Sequence, residues 1–322
     1  MATLMVDFCG VLSESNKIVN AHSRHFLALS VLFLLPLSFS LIFYPTFQQT
    51  VTAPDTSPTE TLLRYTPEQR FLIKTVVLCL LFTFGTFILS LCATGTVTYS
   101  VFHGFFGRPV KLISAIKSLS NSFIRLFVTI LFAQVIVLSI AVVLGLVMFF
   151  LIKGIGFLGF DVSQSSTCVT VVYTIGLVVL VLVAVYLQVN WALACVVVVV
   201  ESSWGVEPLR RSSYLIKGMR GVAAYLLLFF GLISGLMLWG NWEPMNVGDL
   251  KDWMSVVGTV VGSAFIMLIL LHSISASTVL YMHCKALHGE LAGEIAEEFA
   301  QEYVSLPFDD KKVPHVVFVI QP

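Results

Sequence analysis

Polar side chains set deep in apolar runs are the first candidates for chemistry in this chain, because hydrocarbon strongly penalises an uncompensated ionisable group. Gln134, Gln188, Asn190 and His272 lie deepest. Together such residues could coordinate an ion or relay a proton, yet a relay wants acids paired with bases at mid-membrane depth. No Asp or Glu stands in the middle of any apolar run. Hydrogen bonding between helices is therefore the stronger reading for all four, and for the Ser273, Ser275, Ser277 and Thr278 stripe that follows His272. Lys74 lies within a turn of a run boundary, where its stem can snorkel, and Glu201 ends a run.

Soluble catalytic patterns are missing as well. The chain has no GxSxG elbow, HExxH helix, phosphate-binding Walker loop or dinucleotide glycine pattern. His283 and His288 are five apart and do not share a helix face as i, i+4 ligands do. The cysteines at 9, 79, 92, 168, 195 and 284 follow no metal spacing, and three of them sit inside apolar runs, which argues against a disulfide framework. No catalytic residue, metal or cofactor is expected, and the chain is not expected to be an enzyme.

These residues must be positioned by membrane helices. Hydrophobic residues make up 57% of the 322 and charged ones 11%, against roughly 25% charged in soluble domains. Eighteen cations balance eighteen anions, so no bulk field favours nucleic acid. Six runs meet the length of roughly 20 apolar residues that a helix needs to cross hydrocarbon: Phe26 to Tyr44, Thr75 to Val101, Leu126 to Ile152, Val169 to Val200, Val222 to Trp239, and Met254 to Tyr281. The stretches between them, such as "PTFQQTVTAPDTSPTETLLRYTPEQR", could not leave their backbone groups unpaired in lipid. The long polar lead before the first run, with no A-x-A-like site after it, reads as an anchor rather than a cleaved signal. The expected fold is all-α: a polytopic membrane domain over 26–284, with an amphipathic segment at 1–25 and an acidic amphipathic helix and extended tail at 285–322.

Cations orient the domain. Arg108, Lys111, Lys117 and Arg125 stand between spans two and three with no acid, and Arg210, Arg211, Lys217 and Arg220 follow span four. The alternate loops carry no net positive charge, so both basic connectors and both termini are expected in the cytosol. Trp239, Trp242 and Trp253 flank the last exterior loop, where indole rings favour the headgroup layer. Span four is too long: Val169 to Val200 as one straight helix would measure about 48 Å at about 1.5 Å per residue, beyond a core of about 30 Å. Its last part, Trp191 to Val200, is expected to leave the hydrocarbon or pack on neighbouring helices.

The two connectors, "GRPVKLISAIKSLSNSFIRLF" and "GVEPLRRSSYLIKGMRGVAAY", share an opening Gly and Pro followed by mixed cations and apolar residues. A weak duplication is one explanation and chance the other. Their cations either set topology alone or also reach lipid phosphates. Phe8, Val11, Leu12, Ile18 and Val19 fit an in-plane helix before span one. Leu287, Leu291, Ile295, Phe299 and Tyr303 recur every four residues among glutamates, an apolar stripe that the chain's own basic face or a protein partner would cover. Gly231/Gly235 and Gly258/Gly262 are spaced for close helix approach, within one chain or between two copies.

The stretch "VVVVVESSWGVEPLRRSSYLIKGMRG" resembles the E-x-x-x-G-x-x-x-L-x-R-S-x-x-L-x-x-G signature of a broad membrane-domain family that includes membrane regions attached to bacterial glycerophosphodiester phosphodiesterases. Glu201, Gly205, Leu209, Arg211, Ser212, Leu215 and Gly218 carry the match. With "LPLSFSLIF" and "YMHCKALHGELAGEIAEEFAQEYVSLPFDDKKVPHVV", nearly the whole chain looks like a plant family of uncharacterised six-span proteins, some of them labelled polyadenylate-binding-protein-binding. The resemblance implies a six-span membrane fold and no catalysis, since the phosphodiesterase chemistry belongs to a separate soluble domain. It also implies that Glu201 pairs with Arg210 or Arg211 to fix the turn after span four.

The function expected from all this is that of a non-enzymatic membrane scaffold or adaptor acting through lipids or protein partners, with a small-solute transporter or channel as the alternative. A transporter would gather Gln134, Gln188, Asn190 or His272 around one water-accessible pocket. Membrane lipids are the expected partners; a protein on the C-terminal helix and tail, and a second copy of the chain, are further ones. Endomembranes and the plasma membrane fit equally.

Overall fold

The computed structural model of the chain describes residues 8–52, 67–108, 111–157, 167–240 and 253–293. Among these residues every regular element is helical, and six helical stretches are long and apolar enough to cross a bilayer. The protein is thus an all-α polytopic membrane protein.

Helix α1 (Phe8–Ala21) precedes span one, which is built from α2 (Ser23–Leu29), a π-helical turn (Ser30–Leu34) and α3 (Leu35–Thr52). The wide turn has a cause in Pro36: proline donates no backbone N–H and its ring crowds the carbonyl four residues back. The side chains of Ser38 and Ser40 bond to the carbonyls of Leu34 and Pro36 around it. Spans two and three are α4 (Pro67–Phe105) and α5 (Leu112–Phe157). Span four is divided into α6 (Thr167–Asn190) and α7 (Ala194–Val200); a short helix, α8 (Glu207–Leu215), leads to α9 (Arg220–Gly240) and α10 (Trp253–Leu287), spans five and six.

Burial is concentrated toward one end. Leu34, Val97, Leu193, Val197, Leu215, Ile216 and Leu280 are fully enclosed there, whereas Leu138 and Phe150 on α5 and Leu182 on α6 are more than half exposed. Exposed apolar surface on a membrane helix faces lipid, where it carries no hydrophobic penalty. At the buried end, Ser118, Ser122 and Arg125 of α5 line one cavity with Val199, Val200 and Ser202, and the Gly205 N–H donates to Thr129 Oγ1 at 3.1 Å. The two basic connectors therefore share this end, called here the basic end. The first and last spans begin and finish there too: His283 Nε2 lies 2.6 Å from Glu14 Oε2, and His25 Nε2 lies 3.0 Å from Ser100 Oγ.

Several expectations are sharpened. Helix α1 does not lie free of the bundle; Val11, Ser15 and Val19, one turn apart, are buried where α1 packs along α10, and Phe8 meets the Phe229 ring edge-on at 5.5 Å. The Trp191–Val200 piece packs on its neighbours, with Ala194, Val196, Val197 and Val198 buried against α4, α5 and α8. Gly231, Gly235 and Gly258 make no close helix approach inside the chain, since a Cβ at any of the three would meet nothing within 4 Å. The basic connectors also differ in build: Gly107, at φ +69°, ends α4 before the unbroken α5, whereas the second connector folds an extra helix and turns at Gly218, φ +100°. Trp239 and Trp253 are exposed at the opposite end, while Trp242 and the acidic stripe beyond Gly293 lie outside the described residues.

Candidate functional site

The signature residues after span four assemble around a break in the helix. Between α6 and α7 the chain makes a turn at 191–193, freeing the Asn190 carbonyl and the Leu193 N–H inside the bundle. A single hydroxyl satisfies both: Ser212 Oγ donates to the Asn190 carbonyl oxygen at 2.8 Å and accepts from the Leu193 N–H at 3.2 Å. Two orphaned backbone groups at that depth would each cost about 1–3 kcal/mol. The Asn190 amide meanwhile donates to the Tyr186 carbonyl at 2.7 Å, so this residue terminates α6 with both its backbone and side chain.

The chain then reverses. Ser202 adopts φ +57°, a left-handed conformation uncommon outside glycine, and Gly205 adopts φ +77°. Leu209 and Leu215 anchor α8 in the core, and at Gly218 an added Cβ would come within 3.2 Å of Leu287 Cδ2. Each of these motif residues thus has a local structural job.

Glu201 is the hub. Arg211 Nε lies 3.2 Å from Glu201 Oε2, the Tyr281 hydroxyl donates to Glu201 Oε1 at 2.8 Å, and Lys285 Nζ stands 3.9 Å from the same oxygen. Arg211 also turns to Glu290, with Nη1 3.1 Å from Oε1 and Nη2 in contact with Oε2. Lys285 is almost fully enclosed and lies 5.6 Å from the centre of the Tyr281 ring, which gives its charge a second partner. The bond from Glu290 raises Arg211 further above its ordinary range, and Arg211 holds Glu290 below the usual carboxylate range. Two cations and two anions cancel in the cluster. Its chemistry is that of a clamp joining the end of α7, α8 and α10, and it fixes Arg211, rather than Arg210, as the partner of Glu201.

The remaining candidates separate. Gln134 stands exposed on α5, Gln188 borders a crevice between α6, α9 and α10, Asn190 closes α6, and His272 borders an apolar groove beneath α1 with its Nδ1 2.9 Å from the Leu268 carbonyl oxygen. They do not share a cavity. Arg108, Lys111 and Lys117 are exposed around the first connector, and Arg125 enters the cavity beside Ser202. Arg210, Lys217 and Arg220 come together around a second cavity of about 380 Å³. Among the described residues no three His, Cys, Asp or Glu side chains converge as a metal site would require.

The profile of one protein family, described as a domain of unknown function (DUF8558), matches residues 3–314. The chain belongs to that family. No curated protein and no solved structure matches it. The family match covers the whole membrane domain, so the helix break, the clamp and the basic cavity all lie within one family unit.

Tyr281, Lys285, Glu290 and Thr129 escaped the sequence reading. Tyr281 and Lys285 are one turn apart on α10, and that spacing was the available signal; what they would face was not encoded nearby. Glu14 and His283 likewise pair across almost the full chain.

Proposed function

We propose that this protein is a non-enzymatic membrane scaffold whose basic end faces the cytosolic leaflet and engages lipids, with the segment after α10 offered to a protein partner. The observation that carries this reading is the use made of its polar groups. Glu201, Arg211, Glu290 and Lys285 neutralise one another in a clamp, while Gln134, Gln188, Asn190 and His272 are dispersed instead of lining one path. A solute pathway needs successive polar contacts along one route. The start of the C-terminal helix is held by Glu290 and by Leu291, which packs on the core, consistent with self-docking of its first turn. Positive-inside bias supports the cytosolic placement of both termini, in the endomembrane system or the plasma membrane.

The transporter reading is favoured by one feature, the crevice of about 290 Å³ where Gln188 meets Ser234, Ser273 and Ser277. Osmotic swelling of vesicles containing the purified chain separates the two readings. Permeability to glycerol, urea and monovalent ions equal to that of protein-free vesicles is expected. Chain-dependent permeation lost on Gln188→Leu would overturn the scaffold.

A further inference from the structure

We propose that the cavity between the end of α6, α8 and the start of α9 is a headgroup site for a phospholipid bearing a phosphate monoester, its phosphate held by Arg210, Lys217 and Arg220. The lining joins these three cations to Tyr186, Asn190 and Trp191, and it contains no acid. Arg211, the next residue to Arg210, is consumed by Glu201 and Glu290 on the other side of α8. Arg210, Lys217 and Arg220 form no ion pair with an acid among the described residues, and Lys217 is steadied only by the Tyr214 ring, 5.8 Å from its Nζ. Three like charges around one hollow repel one another and call for a counter-anion. A phosphate monoester, carrying about −1.5 to −2 charge at neutral pH, matches three cations better than a singly charged diester does.

Position decides between a lipid and a soluble phosphate. Helix α9 has 21 residues, about 31 Å at about 1.5 Å per residue, which matches a hydrocarbon core of about 30 Å. Arg220, its first residue, therefore stands at the hydrocarbon boundary, the depth of lipid phosphates. On α6 the outward stripe Val178, Leu182 and Tyr186, one turn apart and each more than half exposed, runs along the lipid side directly into the cavity. An acyl chain can lie on that stripe while its headgroup enters among the cations. Tyr186 and Trp191 mark the same level, where amphipathic rings favour the interface.

The proposal rests on the scaffold reading only in placing the basic end at a headgroup layer. Its test uses the full chain in detergent, with lipid binding read by native mass spectrometry for phosphatidic acid, phosphatidylinositol 4-phosphate and phosphatidylcholine. Preference for the two monoester lipids over phosphatidylcholine of about tenfold or more is expected, falling to near unity in the R210Q/K217Q/R220Q variant and recovering in R210K/K217R/R220K. The R108Q/K111Q/K117Q control, which removes three exposed charges from the other connector, should keep the preference. Lys217→Gln alone, an exposed change, guards against loss by misfolding and should lower the preference several-fold. Equal loss in the control variant, retained preference in the triple variant, or full displacement of lipid by millimolar inorganic phosphate or glycerol 3-phosphate would each overturn the assignment. Solute flux in vesicles would refute the scaffold and leave this binding result untouched, so the two failures are distinguishable.

Discussion

Ser212 and Asn190 are joined by a hydrogen bond of 2.8 Å that closes a break in the fourth membrane span. The same hydroxyl accepts the Leu193 N–H, so one side chain on α8 restores the backbone pairing that the turn removes. Span four can thus end its hydrocarbon crossing at Asn190 and still place α7 and Glu201 in the core.

Ser212→Ala should leave two enclosed backbone groups without partners. A loss of about 2–6 kcal/mol, about 1–3 for each group, is expected, with faster amide exchange at Leu193 than in α7. Thermal unfolding in detergent and site-resolved hydrogen exchange check this; unchanged exchange at Leu193 would remove the role assigned to the hydroxyl.

Arg211→Gln should uncouple α8 from Glu201 and from Glu290 at a cost of about 1–2 kcal/mol, between the values for exposed and buried pairs because each partner keeps some solvent contact. Arg211→Lys should rescue little, because one ammonium cannot reach both carboxylates as the planar guanidinium does. A double-mutant cycle with Glu290→Gln should give a coupling of a few tenths to about 1 kcal/mol. A coupling of zero would mean that the pair contributes nothing.

Glu290 also predicts a pH dependence. Its pKa is held below the ordinary 4.5 by Arg211, so its contribution is fully present above that value and is lost as the pH falls through the lower, folded-state pKa. The stability difference between the native chain and Glu290→Gln should be constant from neutral pH to about 5 and vanish in stronger acid. A difference that grows on acidification has the wrong sign.

At Gly218, φ +100° and the neighbouring Leu287 act together. Gly218→Ala should cost more than about 1 kcal/mol. Adding Leu287→Ala should relieve the crowding and leave the backbone penalty, so a partial rescue of the melting temperature is expected after allowing for the cost of Leu287→Ala alone.

The spans were legible in the sequence because hydrocarbon demands long apolar runs, and the six runs coincide with six crossing helices. The irregularity of span four was legible too, since Gln188, Asn190 and Trp191 interrupt it and its length exceeds the bilayer. What the sequence left open was a matter of rotation and distance. Arg210 and Arg211 are alike in type, but successive residues on a helix point about 100° apart, so Arg211 enters the Glu201 clamp and Arg210 the basic cavity. Tyr281 and Lys285 stand some eighty residues from Glu201, and no local pattern announces a contact made only when α10 closes over α7. Gly231, Gly235 and Gly258 face no helix inside the chain, because spacing permits close approach without supplying a helix to approach.

The placement of both basic connectors on one side of the membrane, in the cytosol, is tested most directly by cysteine accessibility. In a chain with its native cysteines replaced, single cysteines at Ser114 and Val206 report the two connectors and one at Lys153 reports the far end of α5; all three positions are exposed. An impermeant maleimide applied to sealed, right-side-out membranes should label Lys153→Cys alone, and Ser114→Cys and Val206→Cys only after permeabilisation. Labelling of Ser114→Cys and Val206→Cys from opposite sides would contradict the account.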